Sequence, residues 1–221
     1  MSTLLLRLAA PLQAWGADSK FDTRSTEKEP TQSGVLGLLA AALGIRRDDT
    51  GALKALSGLR FGVRVDREGQ LLHDFHTAHS VKSAYVTHRY YLCDAVFLCG
   101  LESQDTALLR RYAEALTHPV FPLFLGRRSC PPTLPLVWGI REEPLEQALK
   151  EEPALIDDAD MTRIMIESSS AADALIRDVP VSFSPYRREF GFRRQREELL
   201  EKKSGQTEHD AFAELEAEEC T

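Results

Sequence analysis

The stretch Leu4-Leu5-Leu6-Arg7-Leu8 decides the fold, because it is a short apolar run that ends before Pro11 and Gly16. A run of this length, without regular alternation of apolar and polar residues, is typical of a strand that is covered on both faces. We therefore predict a buried strand in the centre of a sheet. The rest of the chain must supply strands that pair with it and layers that cover it.

A helix is predicted after a polar loop over residues 17–30. Ser33 can cap the free amides of its first turn, and apolar residues at helical spacing continue to a stop at Gly44. A second, shorter helix is predicted over residues 52–57.

Residues 60–66 alternate in polarity and predict a strand with one face exposed to solvent. The next predicted strand covers residues 91–99, an amphipathic helix covers 105–116, and a last strand covers 133–138. The resulting β-α-β-β-α-β order is that of an α+β, ferredoxin-like fold of the kind found in RNA-recognition domains. A polar, histidine-rich insertion at about residues 67–90 interrupts it and is longer than a hairpin loop requires.

The pattern weakens after residue 141, where we predict a helix over 144–150, strands over 162–168 and 175–183, and then a charged segment. We divide the chain into a core over residues 1–140, a C-terminal appendage over 141–203 and an acidic tail over 204–221 that we expect to be disordered.

The composition of the 221 residues, 43% hydrophobic and 28% charged, is that of a globular protein. No apolar run is long enough to span a bilayer and no signal sequence is apparent, so we expect a cytoplasmic protein. The net charge of −7 is unevenly spread: residues 1–140 hold 16 basic and 13 acidic side chains, whereas residues 141–221 hold 11 and 21. The first 140 residues can therefore still contain a surface that binds nucleic acid.

Two classes of site are disfavoured. The four cysteines have no CxxC spacing, so neither a disulfide framework nor a zinc site is predicted. Four histidines lie in the insertion without a recognisable ligand spacing: His73, His76, His79 and His88. We accordingly predict no metal and no cofactor.

Several segments carry residues that suit phosphate or RNA. The helix start at Gln32, Ser33 and Gly34 presents free amides to an anion, although it is also what an ordinary capped helix would show. Arg127 and Arg128 lie on a turn after Gly126, where they suit phosphate or stand as solvated surface charge.

Aromatic residues add a second kind of RNA contact. Trp15 can stack on a base and Gln13 can bind a base edge, although a tryptophan is more often buried in a core. The insertion mixes Lys82, His88 and Arg89 with tyrosines, a composition that suits single-stranded RNA and also an exposed hairpin.

Taken together, these segments resemble the CasD family of subunits of Cascade, the CRISPR surveillance complex of the type I-E system, within the RAMP superfamily. The residues that carry the resemblance follow in family order: LAAPLQAWG at 8–16, Thr23-Arg24, PTQSGVLGLL at 30–39, LGIRRDD at 43–49, DFHT at 74–77, YLCDA at 91–95 and LGRRSCP at 125–131.

The resemblance implies a non-catalytic subunit that caps the backbone filament of Cascade and holds the 5′ handle of the CRISPR RNA, in support of antiviral defence. It also implies a ferredoxin-like body with a β-hairpin thumb at about residues 67–90. The partners would be the Cascade backbone subunit, the large subunit and, through the assembled complex, target DNA. The implied RNA-binding residues are Gln13, Trp15, Arg24, Gln32, Ser33, Gly34, Lys82, His88, Arg89, Arg127 and Arg128.

Alternatives remain open at the level of the sequence. Related members of the superfamily are metal-independent endoribonucleases that process the CRISPR precursor RNA, and Lys82, His88 and Tyr90 would be the first residues to suspect. A free-standing RNA binder is a third hypothesis. The run of Arg187, Arg188, Arg193, Arg194 and Arg196 could meet RNA, a neighbouring subunit, or solvent on a charged strand.

Overall fold

The computed structural model describes residues 1–16, 23–79, 84–157, 163–184 and 186–200. The predicted acidic tail over 204–221 and Lys82 lie outside these residues. The described elements, in chain order, are β1 (Ser2–Ala9), β2 (Leu12–Gln13), β3 (Thr23–Arg24), α1 (Gln32–Ala42), α2 (Thr50–Leu56), β4 (Arg60–Arg67), β5 (Gln70–His79), β6 (Ala84–Cys93), β7 (Val96–Ser103), α3 (Thr106–Thr117), β8 (Val137–Arg141), α4 (Leu145–Glu151), β9 (Arg163–Ser168), β10 (Ala174–Phe183) and β11 (Arg188–Leu199).

The protein has a mixed α and β architecture in which nearly all strand pairs are antiparallel. The larger sheet has seven strands in the order β10-β11-β9-β4-β7-β1-β8. β1 pairs with β7 on one side and with β8 on the other, so the predicted central position of the first strand is confirmed.

Both faces of β1 are covered, as the apolar run predicted. Leu4, Leu6 and Leu8 point into the larger core, to which α1, α2 and α3 contribute. Leu5 points the other way, into a smaller core with Leu145 of α4. Since burying a leucine side chain is worth about 1.5–3 kcal/mol, the two cores together hold helices against both faces of the sheet.

The predicted solvent-exposed face of β4 is wrong, because α4 and the residues that follow it cover this face. Arg64 and Asp66 are completely buried there. The Nε of Arg64 donates to Oδ1 of Asp66 at 2.6 Å, and its Nη1 donates to the carbonyl of Leu149 at 2.7 Å. Asp66 in turn accepts from the backbone amide of Leu155. The alternation of apolar and charged residues in β4 therefore reflects a buried ion pair and not a solvent-exposed face.

Two strand boundaries also differ from the prediction. Residues 91–99 belong to two strands, since the chain turns at Asp94, whose φ is +56°, between β6 and β7. The last strand of the core is β8 at Val137–Arg141 and not residues 133–138. Pro131, Pro132 and Pro135 lack amide donors, so this stretch cannot form a regular ladder.

A long hairpin occupies the predicted insertion. β5 pairs with β6 over ten residues on each strand, from Gln70–Cys93 to His79–Ala84. β2 and β3 add to β6 and complete a second, four-stranded sheet. This sheet places the insertion beside the segment that follows β1.

The chain beyond residue 141 extends the larger sheet. β9 pairs with β4, β11 pairs with β9, and β10 forms the edge. The charged segment after residue 187, for which a charged strand was one of the alternatives, is the strand β11. Arg193 is its one buried position, and the other described side chains of this strand are half-buried or exposed.

The turn at Gly126 fixes the loop 125–130 against the start of the chain. Gly126 has a φ of +85°, and a β-carbon at this position would lie 1.6 Å from the carbonyl oxygen of Ala14. The amide of Ala14 donates to the carbonyl of Leu125 at 3.1 Å. Only glycine permits this close approach of two backbones.

Three cysteines, Cys93, Cys99 and Cys130, are free thiols in the described part of the chain, and Cys220 lies outside it. Within the same residues, no helix has the length and apolar character needed to cross a membrane.

Replacing Arg64 by methionine should destabilise the protein by about 3–5 kcal/mol, because Asp66 would remain buried without its counter-charge. Urea denaturation measures the effect. The matched control is Arg46→Met, which removes an exposed ion pair with Asp48 at 3.8 Å and should cost no more than about 1 kcal/mol. Equal losses in the two variants would contradict the assigned role of the buried pair.

Replacing Gly126 by alanine should lower stability by about 2 kcal/mol or more, since both the backbone angle and the contact with Ala14 are unfavourable for a β-carbon. Thermal unfolding measures the loss. Gly16→Ala is the control, because no atom of the described residues lies within 4 Å of the β-carbon position there. An unchanged midpoint for Gly126→Ala would show that the loop 125–130 is not held as described.

Candidate nucleic-acid interface

Segments that are far apart in the sequence meet at one end of the second sheet. Gln13 of β2 pairs with Leu92 of β6, and Arg24 of β3 pairs with Arg89 of β6. The loop 125–130 lies against both, since the carbonyl of Leu125 accepts from the amide of Ala14 and Arg127 donates to the carbonyl of Arg24 in β3. We call this region the motif junction.

The centre of the motif junction is buried. Trp15 is 1% exposed and Gln13 is 0% exposed. The indole Nε1 of Trp15 donates to Oε1 of Gln13 at 3.1 Å, and Nε2 of Gln13 donates to the carbonyl of Ala95 at 2.7 Å. Trp15 is thus a core residue and is not exposed for stacking on a base. Of the two alternatives that the sequence left open, burial in the core is the one observed.

The N-terminus of α1 is occupied by groups of the chain itself. The cap is Thr31, whose side chain accepts from the amide of Gly34, and not Ser33 as predicted. The amide of Gln32 donates to Oδ2 of Asp178 at 2.8 Å. An aspartate from β10 therefore fills the position that an incoming anion would take, which favours the capped-helix interpretation of this segment.

Gly34 has a packing role beneath Trp15. A β-carbon at Gly34 would lie 2.9 Å from Cε3 of Trp15. Gln32 and Ser33 are buried as well. The surfaces of these three predicted contact residues are therefore used within the chain: Gly34 packs on Trp15, and Gln32 binds Asp178.

A cluster of arginines covers the open side of the motif junction. The guanidinium of Arg127 lies 4.5 Å above the ring of Tyr91, and its Nη2 donates to the carbonyl of Arg24 at 2.8 Å. Arg24 and Arg89 are register partners in a parallel pair, so their side chains leave the sheet on the same face. We call Arg24, Arg89 and Arg127 the arginine cluster; Arg128, which is exposed, follows it in the chain.

The arginine cluster has spare hydrogen-bonding capacity. Nε of Arg89 and Nη1 of Arg127 are buried and have no partner among the described residues. In the same part of the chain, no carboxylate forms an ion pair with these arginines; Asp74, opposite Arg89 in the ladder, lies 2.5 Å from Nε2 of His76. Buried donors without a partner are uncommon in folded proteins, so these two nitrogens mark a place where the described residues do not supply an acceptor.

The pKa of the Tyr91 hydroxyl reflects the positive charge around it. Burial alone would raise the pKa of its hydroxyl, but polar interactions with Ser129 and Arg127 and the charge of Arg127 outweigh burial, so this pKa is lowered. Sequence reasoning did not single out Tyr91 as a site residue, although its position two residues after Arg89 on a strand places both side chains on one face.

The other face of the β5–β6 hairpin carries a stack of rings. His73 stacks on Tyr90 with 4.6 Å between ring centroids, and its Nε2 lies 2.9 Å from Nδ1 of His88. The predicted RNA-binding residues His88 and Arg89 are therefore on opposite faces of β6. Lys82 lies outside the described residues, so its placement relative to either face is not given.

Within the described ranges, no group of three or more histidine, cysteine, aspartate or glutamate side chains is arranged to hold a metal ion. His73 instead lies within hydrogen-bonding distance of His88, and His76 binds Asp74.

Comparison with known proteins gives three results. The family model described as CRISPR-associated protein (Cas_Cas5) matches residues 3–196. The Cascade subunit CasD of Escherichia coli (strain K12) is 41% identical over 174 residues, which cover 69% of this chain and 78% of that protein. The residues that the family model matches span nearly all of both sheets and the motif junction.

Two solved structures are also similar. One is described as a crystal structure of a Cas protein, with a TM-score of 0.70, 42% identity and coverage of 90% of this chain and 95% of the other. The second is a chain of a CRISPR RNA-guided surveillance complex, with a TM-score of 0.73, 32% identity and 90% coverage of both chains. The chain therefore belongs to the Cas5 family of CRISPR-associated proteins.

Proposed function

We propose that this protein is a non-catalytic subunit of a Cascade-type surveillance complex and that its arginine cluster holds the 5′ handle of the CRISPR RNA. The single observation that carries the proposal is the pair of buried, unpartnered guanidinium nitrogens on Arg89 and Arg127, seen among the described residues. The relationship to a Cascade subunit supplies the kind of complex in which the RNA would be bound.

Phosphate is the ligand that best fits this cluster. A guanidinium presents a planar fork of donors that matches two phosphate oxygens, and Arg127 is already oriented by Tyr91 and by the carbonyl of Arg24. An oriented side chain loses less conformational freedom on binding than a mobile one. A short RNA segment that bends around the cluster could place successive phosphates on Arg24, Arg89 and Arg127, with exposed Arg128 at the edge.

The buried residues of the predicted site have a structural role in this proposal. Gln13, Trp15 and the α1 start at Gln32, Ser33 and Gly34 hold the segment from which the arginines project. In this proposal the exposed residues contact RNA and the buried ones fix the distances between them. His73, His88 and Tyr90 form a stacked surface on the other face of the hairpin that suits an unpaired base.

The strand order supports a ferredoxin-like body as part of the proposal. β4-β7-β1-β8, with α1 and α3 as crossovers, corresponds to the second, third, first and fourth strands of that fold. The β5–β6 hairpin would be the thumb, inserted between the second and third strands, and residues 141–203 would be the appendage. Exposed apolar side chains on the hairpin, such as Leu71 and Phe75, suit contact with a backbone subunit.

The further partners in this proposal are the large subunit and, through the complex, target DNA. The subunit would cap one end of the backbone filament, in the cytoplasm. The resemblance in the sequence and the similarity to a chain of a surveillance complex support this assignment.

Replacing Arg89 and Arg127 together by alanine should weaken binding of handle RNA about tenfold or more at moderate salt, because two phosphate contacts are lost. It should also reduce the slope of log K against log salt by about 1.4, at about 0.7 for each phosphate on a single strand. Fluorescence anisotropy with labelled handle RNA measures both quantities. Arg127→Ala with Arg128→Ala should have the same direction of effect.

The matched control is Arg110→Ala with Arg111→Ala, which removes the same charge from an exposed surface of α3. This variant should bind handle RNA like the parent protein. Thermal unfolding of all variants establishes that they are folded. An equal loss in the control, or an unchanged salt dependence in the cluster variant, would refute the assignment.

The non-catalytic role has its own test. Repeat RNA incubated with the purified protein in EDTA should remain intact, as judged on a denaturing gel over several hours. Cleavage at one position that disappears in His88→Ala and Tyr90→Phe variants would overturn the proposal and establish the metal-independent endoribonuclease in its place.

A further inference from the structure

A short segment begins with β3, ends at the cap of α1 and carries Arg24, one member of the arginine cluster. We call this segment, residues 23–31, the strap. Its first residues bind the loop 125–130, since Nη2 of Arg127 donates to the carbonyl of Arg24 at 2.8 Å and to that of Ser25 at 3.3 Å. The start of the strap is therefore in contact with the arginine cluster itself.

The middle of the strap binds the backbone of Trp15. The amide of Glu27 donates to the carbonyl of Trp15 at 2.7 Å, and the amide of Trp15 donates to Oγ1 of Thr26 at 2.8 Å. The net contribution of each hydrogen bond is modest, because water competes for the same groups in the unfolded chain. Further contacts therefore decide how firmly the strap is held.

An arginine from the C-terminal part of the larger sheet binds the strap near its far end. Arg163, the first residue of β9, donates through Nη2 to Oε1 of Glu29. The same guanidinium lies 3.4 Å from a carboxylate oxygen of Glu68 and 3.6 Å from one of Glu197. Glu68 lies between β4 and β5, at the base of the hairpin, and Glu197 lies on β11. One side chain thus ties the strap and the base of the hairpin to the larger sheet.

The pair of Arg163 with Glu29 is better shielded from solvent than the other two. Its side chains are 19% and 27% exposed, whereas those of Glu68 and Glu197 are 57% and 52% exposed. Partial burial reduces the screening by water and salt that makes exposed ion pairs weak. Burial also raises the pKa of Glu29, and the charge of Arg163 opposes this rise. Without Arg163, the Glu29 carboxylate would be partly buried without a counter-charge, and we expect the strap to leave its position.

We propose that Arg163 is a positioning residue for RNA binding: through Glu29 it holds the strap, and with it Arg24, where a phosphate of the RNA can be bound. This inference rests on the proposed function, because it takes the arginine cluster as the RNA site. β3 contributes only two residues to its ladder with β6, so this pairing alone restrains Arg24 weakly against Arg89. The anchor at Arg163 supplies the missing restraint.

The sign of the effect at Glu29 distinguishes positioning from simple electrostatics. Removing a carboxylate near an RNA site should strengthen binding if charge alone matters, because a carboxylate repels phosphate. Glu29→Ala should instead weaken binding of handle RNA by about three- to tenfold, the size expected for loss of one phosphate contact. Arg163→Met should weaken it by a similar factor. The combined variant should lose no more than either single variant, since both changes break the same contact.

Fluorescence anisotropy with labelled handle RNA measures these affinities in the full-length protein. In both single variants the slope of log K against log salt should fall by about 0.7, the value for one phosphate on a single strand. Glu114→Ala is the matched control, because it removes an exposed carboxylate from α3. This control should bind handle RNA like the parent protein.

Hydrogen exchange gives a readout that does not involve RNA. In the RNA-free protein, the amide of Glu27 should exchange faster in Arg163→Met and in Glu29→Ala than in the parent, because its hydrogen bond to Trp15 opens more often. The amides of β1 should exchange at unchanged rates, which establishes that the central sheet is intact in both variants.

Two results would overturn the inference: handle-RNA binding by Glu29→Ala that equals or exceeds that of the parent, and unchanged exchange of the Glu27 amide in both variants. The Arg89 and Arg127 variant separates this inference from the proposed function. If that variant loses binding while the Glu29 and Arg163 variants do not, only this inference fails. If that variant binds like the parent protein, the proposed function and this inference fail together.

Discussion

Burial of β1 on both faces is the constraint from which the rest of the architecture follows. A strand with leucine on either face requires a layer on each side, and α1 with α3 supplies one while α4 supplies the other. The layer formed by α4 also covers β4, which explains why Arg64 and Asp66 are sealed inside together. Their charges are tolerated because each binds the other and the backbone around α4.

A second long-range contact determines what the start of α1 can do. Asp178 accepts from the amide of Gln32 and pairs with Arg193, so β10 and β11 are tied to the helix that supports the motif junction. The C-terminal segment therefore helps to hold the start of α1 in place beside the motif junction. It supplies the carboxylate that accepts from the helix N-terminus. In the proposed function, RNA contacts therefore fall to side chains on the open side of the junction.

The arginines of this protein differ in the partners that hold their guanidinium groups. Arg64 and Arg193 are paired with buried aspartates and stabilise the fold. Arg127 instead lies above the ring of Tyr91 and donates to the carbonyl of Arg24, and the proposed function assigns its remaining donors to RNA. A net charge of −7 is compatible with a basic surface at the motif junction, since 21 of the 34 acidic residues follow residue 140.

Local patterns in the sequence were sufficient to predict the central strand, the helices and the position of the inserted hairpin. They also identified the segments that meet in the motif junction. Each of these depends on neighbours a few residues apart: apolar spacing, glycine at turns, and proline where a ladder must stop. The sequence also suggested Arg127 because it follows a glycine turn, Arg89 because it lies among aromatic residues, and Arg24 only through the resemblance to the CasD family.

Only the tertiary structure decided which of the predicted residues face inward. Gln13 meets the carbonyl of Ala95, Trp15 packs on Gly34, and Gln32 binds Asp178, and each of these partners comes from a distant part of the chain. The same is true of the wrong prediction for β4, where an alternating pattern conceals an ion pair covered by α4. A sequence records the type of each side chain, but the partner that satisfies its charge or hydrogen bond is brought by chain folding from as far as 146 residues away.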